Sequence, residues 1–163
     1  MNDWLDYKGS GSSRAYMGDV IAHDSRSERE ALLKQREAYD RLSKALVEKA
    51  NKLLDELESA DKSVAEISAT IKDKTREDKN YNTHALLQRK KTYLTRRANA
   101  NAELDKTIKE VEETRNKMRT EIGYTGYEYL VSGGDPDFNI DLELRRINSR
   151  RKLLLSSKYN LFN

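Results

Sequence analysis

LSKALVEKANKLLDELESADKSVAEISATI (Leu42–Ile71) decides the fold, because its apolar residues recur in two interleaved rows. Leu46, Leu53, Ala60 and Ile67 form one row at intervals of seven, which extends back through Tyr39 to Leu32. Ala50, Leu57, Val64 and Ile71 form the other, also at intervals of seven. Together they make the alternating three-and-four spacing of a coiled-coil seam. Leu33, Leu42, Val47 and Leu54 flank the seam and widen it, as in a helix buried against more than one neighbour.

A second stretch, LDKTIKEVEETRNKM (Leu104–Met118), repeats the pattern. Leu104, Val111 and Met118 form one row, and Asn101, Ile108, Arg115 and Ile122 the other. Leu86, Leu87, Tyr93, Leu94 and Ala98 carry the face back toward Thr83. Between the two stretches lies TREDKNYNT (Thr75–Thr83), where Asn80 and Asn82 tolerate left-handed backbone and Thr83 can cap a following helix. Folding the chain there sets Ile71 beside Leu86, Val64 beside Tyr93, Leu57 beside Asn101, Leu53 beside Leu104, Leu46 beside Val111 and Tyr39 beside Met118. The alternative is one continuous rod that dimerises, since the break holds neither Pro nor Gly. The expected fold is therefore all-α: a long antiparallel helical hairpin with a short third helix and extended, irregular N- and C-terminal arms.

The predicted organisation is a docking arm over 1–25, a hairpin over 26–122, a Tyr/Gly-rich loop over 123–139, a helix over 140–155 and a tail over 156–163. Within the hairpin the helices are expected at 26–74 and 84–122, with the turn at 75–83. Ser27 with Glu30 matches a capping box for the first helix. Gly123 directly after Ile122 is a C-cap signal for the second. In the third, Ile140, Leu144, Ile147, Arg151 and Leu154 share a face expected to lie against the base of the hairpin.

Composition agrees with an elongated helical protein. Of 163 residues 36% are charged, with one Pro and two Phe. The 31 basic and 28 acidic residues are interleaved and leave a net charge of +3, which describes a solvated surface laced with ion pairs. Cys is absent, which excludes disulfides and thiolate metal sites. MNDWLDYKGSGSS at the N-terminus has neither the basic nor the apolar segment of a secretory signal, and no run of apolar residues is long enough to span a membrane. A cytoplasmic or virion-associated location is expected.

No constellation for catalysis is present: no nucleophilic Cys, HExxH, P-loop or GxGxxG, and His23 and His84 lie in no partnering motif. Asp135, Asp137, Asn139 and Asp141 alternate like a calcium loop, but Ile140 stands where that loop needs Gly and Arg146 where it needs Glu. The simpler role for this stretch is helix initiation. No metal, cofactor, small-molecule substrate or catalytic residue is expected.

The expected work is contact with other macromolecules. Trp4, Tyr7, Tyr16 and Met17 in the arm, Tyr124, Tyr127 and Tyr129 in the loop, and Tyr159 and Phe162 in the tail are candidates for protein contact, with self-docking onto the hairpin as the competing role. Between Lys79 and Asn101 there are six basic residues and no acid. Arg89, Lys90, Lys91, Arg96 and Arg97 in that interval form a possible polyanion patch. The competing account pairs Lys90 and Arg97 with Asp61, Glu66 and Asp73 across the hairpin. Ala98, Ala100 and Ala102 make a zone where helices can approach closely.

LDYKGSGSSRAYMGDVIAHD (Leu5–Asp24) resembles the short opening segment of small structural or head-assembly proteins of tailed bacteriophages, and the helical region is similar in style to their coiled coils. The resemblance covers some twenty residues. The glycine- and tryptophan-rich continuation of that pattern is replaced here by Asp24–Glu30. The resemblance implies a virion or assembly role with protein partners, either copies of this chain or other subunits, and carries over no functional residue. The principal reading is a non-enzymatic structural or assembly protein. The alternatives are a nucleic-acid-associated helical protein and a small adaptor or inhibitor of one host protein.

Overall fold

The computed structural model describes residues 12–122 and 138–156, with side chains from Arg26 onward. It is an all-α helical hairpin with a third helix: α1 (Ser12–Glu77), α2 (His84–Ile122) and α3 (Ile140–Leu155). No strand occurs among the described residues.

The connection, residues 78–83, is shorter than the expected turn over 75–83. Thr75 donates its hydroxyl to the Ile71 carbonyl at 2.8 Å, and α1 continues to Glu77. The Asp78 amide still bonds to Lys74 O at 2.9 Å, closing the last turn of α1. Asp78 Oδ1 then accepts the Asn80 amide at 2.9 Å, and Asp78 O accepts the Tyr81 amide at 3.0 Å. Asn82 Oδ1 takes the His84 amide at 3.0 Å, and Thr83 O takes the Leu87 amide at 2.9 Å. Asp and Asn side chains thus satisfy amide groups that a helix start leaves unpaired, so the reversal needs no glycine.

The helices form two compact units. The first contains α1 up to Lys44 and α2 from Thr114. There Ser43 Oγ donates to Met118 Sδ at 3.5 Å, Gln35 Nε2 donates to Glu121 Oε1 at 3.0 Å, and Tyr39 is hydrogen-bonded to Glu121. The second contains Ala45–Glu113 and α3. There Lys49 Nζ meets Glu103 Oε1 at 3.0 Å and Arg97 meets Asp61. Apart from Lys49–Glu103, which reaches further along the helices, these cross-links lie within about a helical turn of the pairing expected from the seam.

The core of the second unit consists of the seam residues Leu46, Ala50, Leu53, Leu57, Ala60, Val64 and Ile67 from α1, with Ala100, Leu104, Ile108 and Val111 from α2. Val47 and Leu54, on the flank of the seam, are buried as well. From α3, Ile140, Leu144, Ile147 and Leu154 enter the core. Helix α3 is held by Arg150, which reaches Asp55 at 2.7 Å and Glu58 at 3.5 Å, and by Arg151, which reaches Asn101 at 3.2 Å and Asp105 at 3.3 Å. It therefore packs along the middle of both long helices and not at the base of the hairpin.

Three further expectations change. Helix α1 begins at Ser12, so Ser12–Ser25 is helix and not part of an irregular arm ending at residue 25. Gly18 is the one residue of that segment with a strongly unfavourable helix propensity, and no Pro stops the helix from propagating back from Arg26. Leu32, Leu33 and Leu42 are largely exposed despite their seam or flanking positions. In the alanine zone only Ala100 is buried, because residues two apart on a helix point about 200° apart.

Candidate functional site

Most of the residues nominated for protein contact lie outside the described residues: Trp4, Tyr7, Tyr124, Tyr127, Tyr129, Tyr159 and Phe162. Tyr16 and Met17 lie on the N-terminal part of α1. Gly123, Asp135 and Asp137 also fall outside. The nominated polyanion patch lies wholly within the described residues, and its cations have different surroundings.

Successive residues on a helix are rotated by about 100°, so a run of cations in sequence does not become a patch in space. Arg97 is committed internally, with Nε donating to Asp61 Oδ1. Arg96 lies over the ring of Tyr93 at 5.1 Å and is exposed. Lys90 lies seven residues before Arg97, and Arg89 seven before Arg96, so these two pairs mark opposite edges of the seam. Lys91 is rotated a further 100° or so away from Lys90. Of the expected cross-hairpin pairs, the structure makes Asp61–Arg97.

That pair is the most unusual electrostatic feature of the second unit. The Asp61 side chain is 1% exposed and that of Arg97 14%. Oδ2 of Asp61 has no hydrogen-bond partner among the described residues. Burial pushes the Asp61 carboxyl above its ordinary value, assisted by the charge of Glu58 and opposed by the Arg97 guanidinium. A half-satisfied carboxylate in a helical core costs stability and discriminates against any register that separates it from its arginine.

On the side of the seam where Lys49 meets Glu103, a groove of about 780 Å³ lies between α1 and α2. Leu53, Ala60 and Ala100 are buried along it, and Tyr93, Arg96 and Glu103 form the α2 wall. Contact with Lys49 holds the Glu103 carboxyl below its ordinary value, and Glu103 in turn raises the lysine. Asp105, on the α3 side, is held low first by Lys109 and then by Arg151. Sequence reading placed Arg151 on the inner face of the third helix. The grip of Arg150 on Asp55 and Glu58 was not anticipated, because nothing in the sequence states where α3 sits on the hairpin.

Among the described residues no group of three or more His, Asp or Glu side chains is placed to hold a metal ion. No helix among them is long and apolar enough to cross a membrane. Comparison with family models, with curated proteins and with solved structures found no match for this chain.

Proposed function

We propose that the chain is a non-enzymatic structural or assembly protein whose helical hairpin and terminal segments make protein–protein contacts in a larger complex, in its fullest form a phage virion. The observation that carries this reading lies in the first unit. Helix α1 runs on beyond the cross-link of Gln35 to Glu121, one residue from the end of α2. From Arg26 to Lys34 every side chain is exposed, including Leu32 at 39% and Leu33 at 44%. Leu42 is 46% exposed nearby. A helix that continues its apolar row beyond the helix it pairs with, leaving those side chains exposed, is suited to meeting a partner. The separated cations of α2 favour protein contact over phosphate binding, since a polyanion site needs its charges on one surface.

The test is mass and shape in solution. Multi-angle light scattering of the full chain is expected to give a multiple of 18.9 kDa, and small-angle scattering an extended particle. A compact monomer up to about 100 μM, the range in which weak specific contacts are populated, would sink the reading. Replacing Arg89, Lys90, Arg96 and Arg97 with Gln is expected to leave that assembly intact. Assembly that requires added polyanion and is lost in this variant would favour the nucleic-acid reading instead.

A further inference from the structure

Arg89, Arg96, Glu103 and Glu110 follow one another at intervals of seven along one edge of α2. They form a single heptad row, on the groove side of the seam, whose sign reverses at its midpoint. Arg89, Arg96 and Glu110 are exposed, and the Glu103 side chain is 41% exposed. Arg89 has no ion-pair partner among the described residues, and Arg96 meets only the ring of Tyr93. Such a row is self-complementary in one orientation only. In antiparallel helices the same heptad position meets itself across the interface, at mirrored places in the sequence. A second α2 laid antiparallel, with the two-fold axis passing between Asn99 and Ala100, brings Arg96 to Glu103 and Arg89 to Glu110, twice over. A parallel second copy would set Arg89 on Arg89 and Glu110 on Glu110.

We propose that a second copy of this chain docks on the groove face of the second unit, antiparallel, through this row. The proposal rests on the assembly reading above and names its partner and its surface. Ala100 and Asn99 at the axis are small enough for close approach of two helices, and the groove along Ala60 and Tyr93 receives side chains of the other copy. Glu103 already accepts Lys49 at Oε1 and faces Lys106 at 3.9 Å from Oε2, but a carboxylate accepts several donors, so these contacts do not block another. Exposed ion pairs are individually weak, so the row sets orientation and specificity while the groove supplies contact area.

The test uses two charge-reversed full-length chains. Arg89→Glu with Arg96→Glu makes the row wholly acidic and touches no ion pair among the described residues. Glu103→Arg with Glu110→Arg makes it wholly basic. Each alone is expected to weaken self-association by at least about tenfold in sedimentation equilibrium, since like charges then oppose one another. An equimolar mixture is expected to form a 1:1 complex as tight as the wild-type dimer, because every pair is opposite in sign again. Helical content by circular dichroism checks that each variant is folded, and the acidic variant alone remains a valid test if loss of the Lys49 contact unfolds the basic one. Wild-type assembly indifferent to both variants would overturn this surface and leave the assembly reading standing. A wild-type chain that stays a compact monomer would overturn both.

Discussion

Leu33 and Leu54 lie in the same row of α1, three heptads apart, yet Leu33 is 44% exposed and Leu54 is fully buried. The row reads Leu33, Asp40, Val47, Leu54, Asp61. Leu33 belongs to the first unit, where α1 runs past the end of α2. Val47, Leu54 and Asp61 belong to the second unit, where α3 joins the two long helices. A two-helix seam covers a narrow stripe, and residues beside the stripe stay wet until a third helix arrives. The comparison shows that the flank of a coiled-coil seam has no burial of its own. The neighbour decides it, and at Asp61 the same neighbourhood makes a charged residue interior.

The largest effect that sharpens this contrast is expected at Asp61. Asp61→Ala leaves Arg97 with no carboxylate in a largely buried position, and should cost about 3–5 kcal/mol in urea unfolding. The double replacement Asp61→Leu with Arg97→Met should be near neutral or stabilising, because it removes the desolvation cost together with the pair. A mild effect of the single change would mean that Arg97 escapes to solvent. Next comes Leu54→Ala, expected to cost about 2–5 kcal/mol, against less than about 0.5 kcal/mol for Leu33→Ala. Equal losses at the two positions would break the comparison. Smaller still is Ser43→Ala, which removes a hydroxyl bonded to the Met118 sulfur and should shift stability by about 1 kcal/mol or less.

The smallest effects are in pH dependence, and they have opposite signs on the two faces of the hairpin. The folded Asp61 carboxyl lies above its ordinary value of 3.8, so its contribution is full below that value and is lost as pH rises through the folded value. The stability of the wild type relative to Asp61→Asn should therefore fall as pH rises above 3.8 and through the higher folded value. Glu103 lies below its ordinary value of 4.5, so its contribution is present above that value and is lost as pH falls through the folded value. The deficit of Glu103→Gln should accordingly shrink in acid. Paired urea titrations across this range read both, and slopes of the same sign would refute the assignment.

Much of the fold was legible in the sequence because periodicity is a local property. The starts of α2 and α3 follow from Asn82 and Thr83, and from the acids at Asp141 and Glu143. The seam residues from Leu46 to Ile67 are buried as their spacing implies, and the reversal at Asp78–Thr83 sets their register. The candidate site was less legible. The charge run at Arg89–Arg97 is visible in the sequence, but not the commitment of Arg97 to Asp61 within the hairpin. The groove exists only where α1 and α2 lie side by side, and it gives the row of Arg89, Arg96, Glu103 and Glu110 a surface.

The sequence by itself determined the helices, their hairpin and its register, since heptad spacing, Asx caps and mirrored apolar rows all act over a few residues or along one seam. Only the tertiary structure decided where α3 lies, and hence which flanking residues are interior. Leu54 and Leu33 are chemically identical and equivalent in heptad position. What separates them is which helices lie alongside: α1 runs past the end of α2 at Leu33, whereas Leu54 lies where α2 and the helix carrying Arg150 and Arg151, nearly a hundred residues away, both pack on α1.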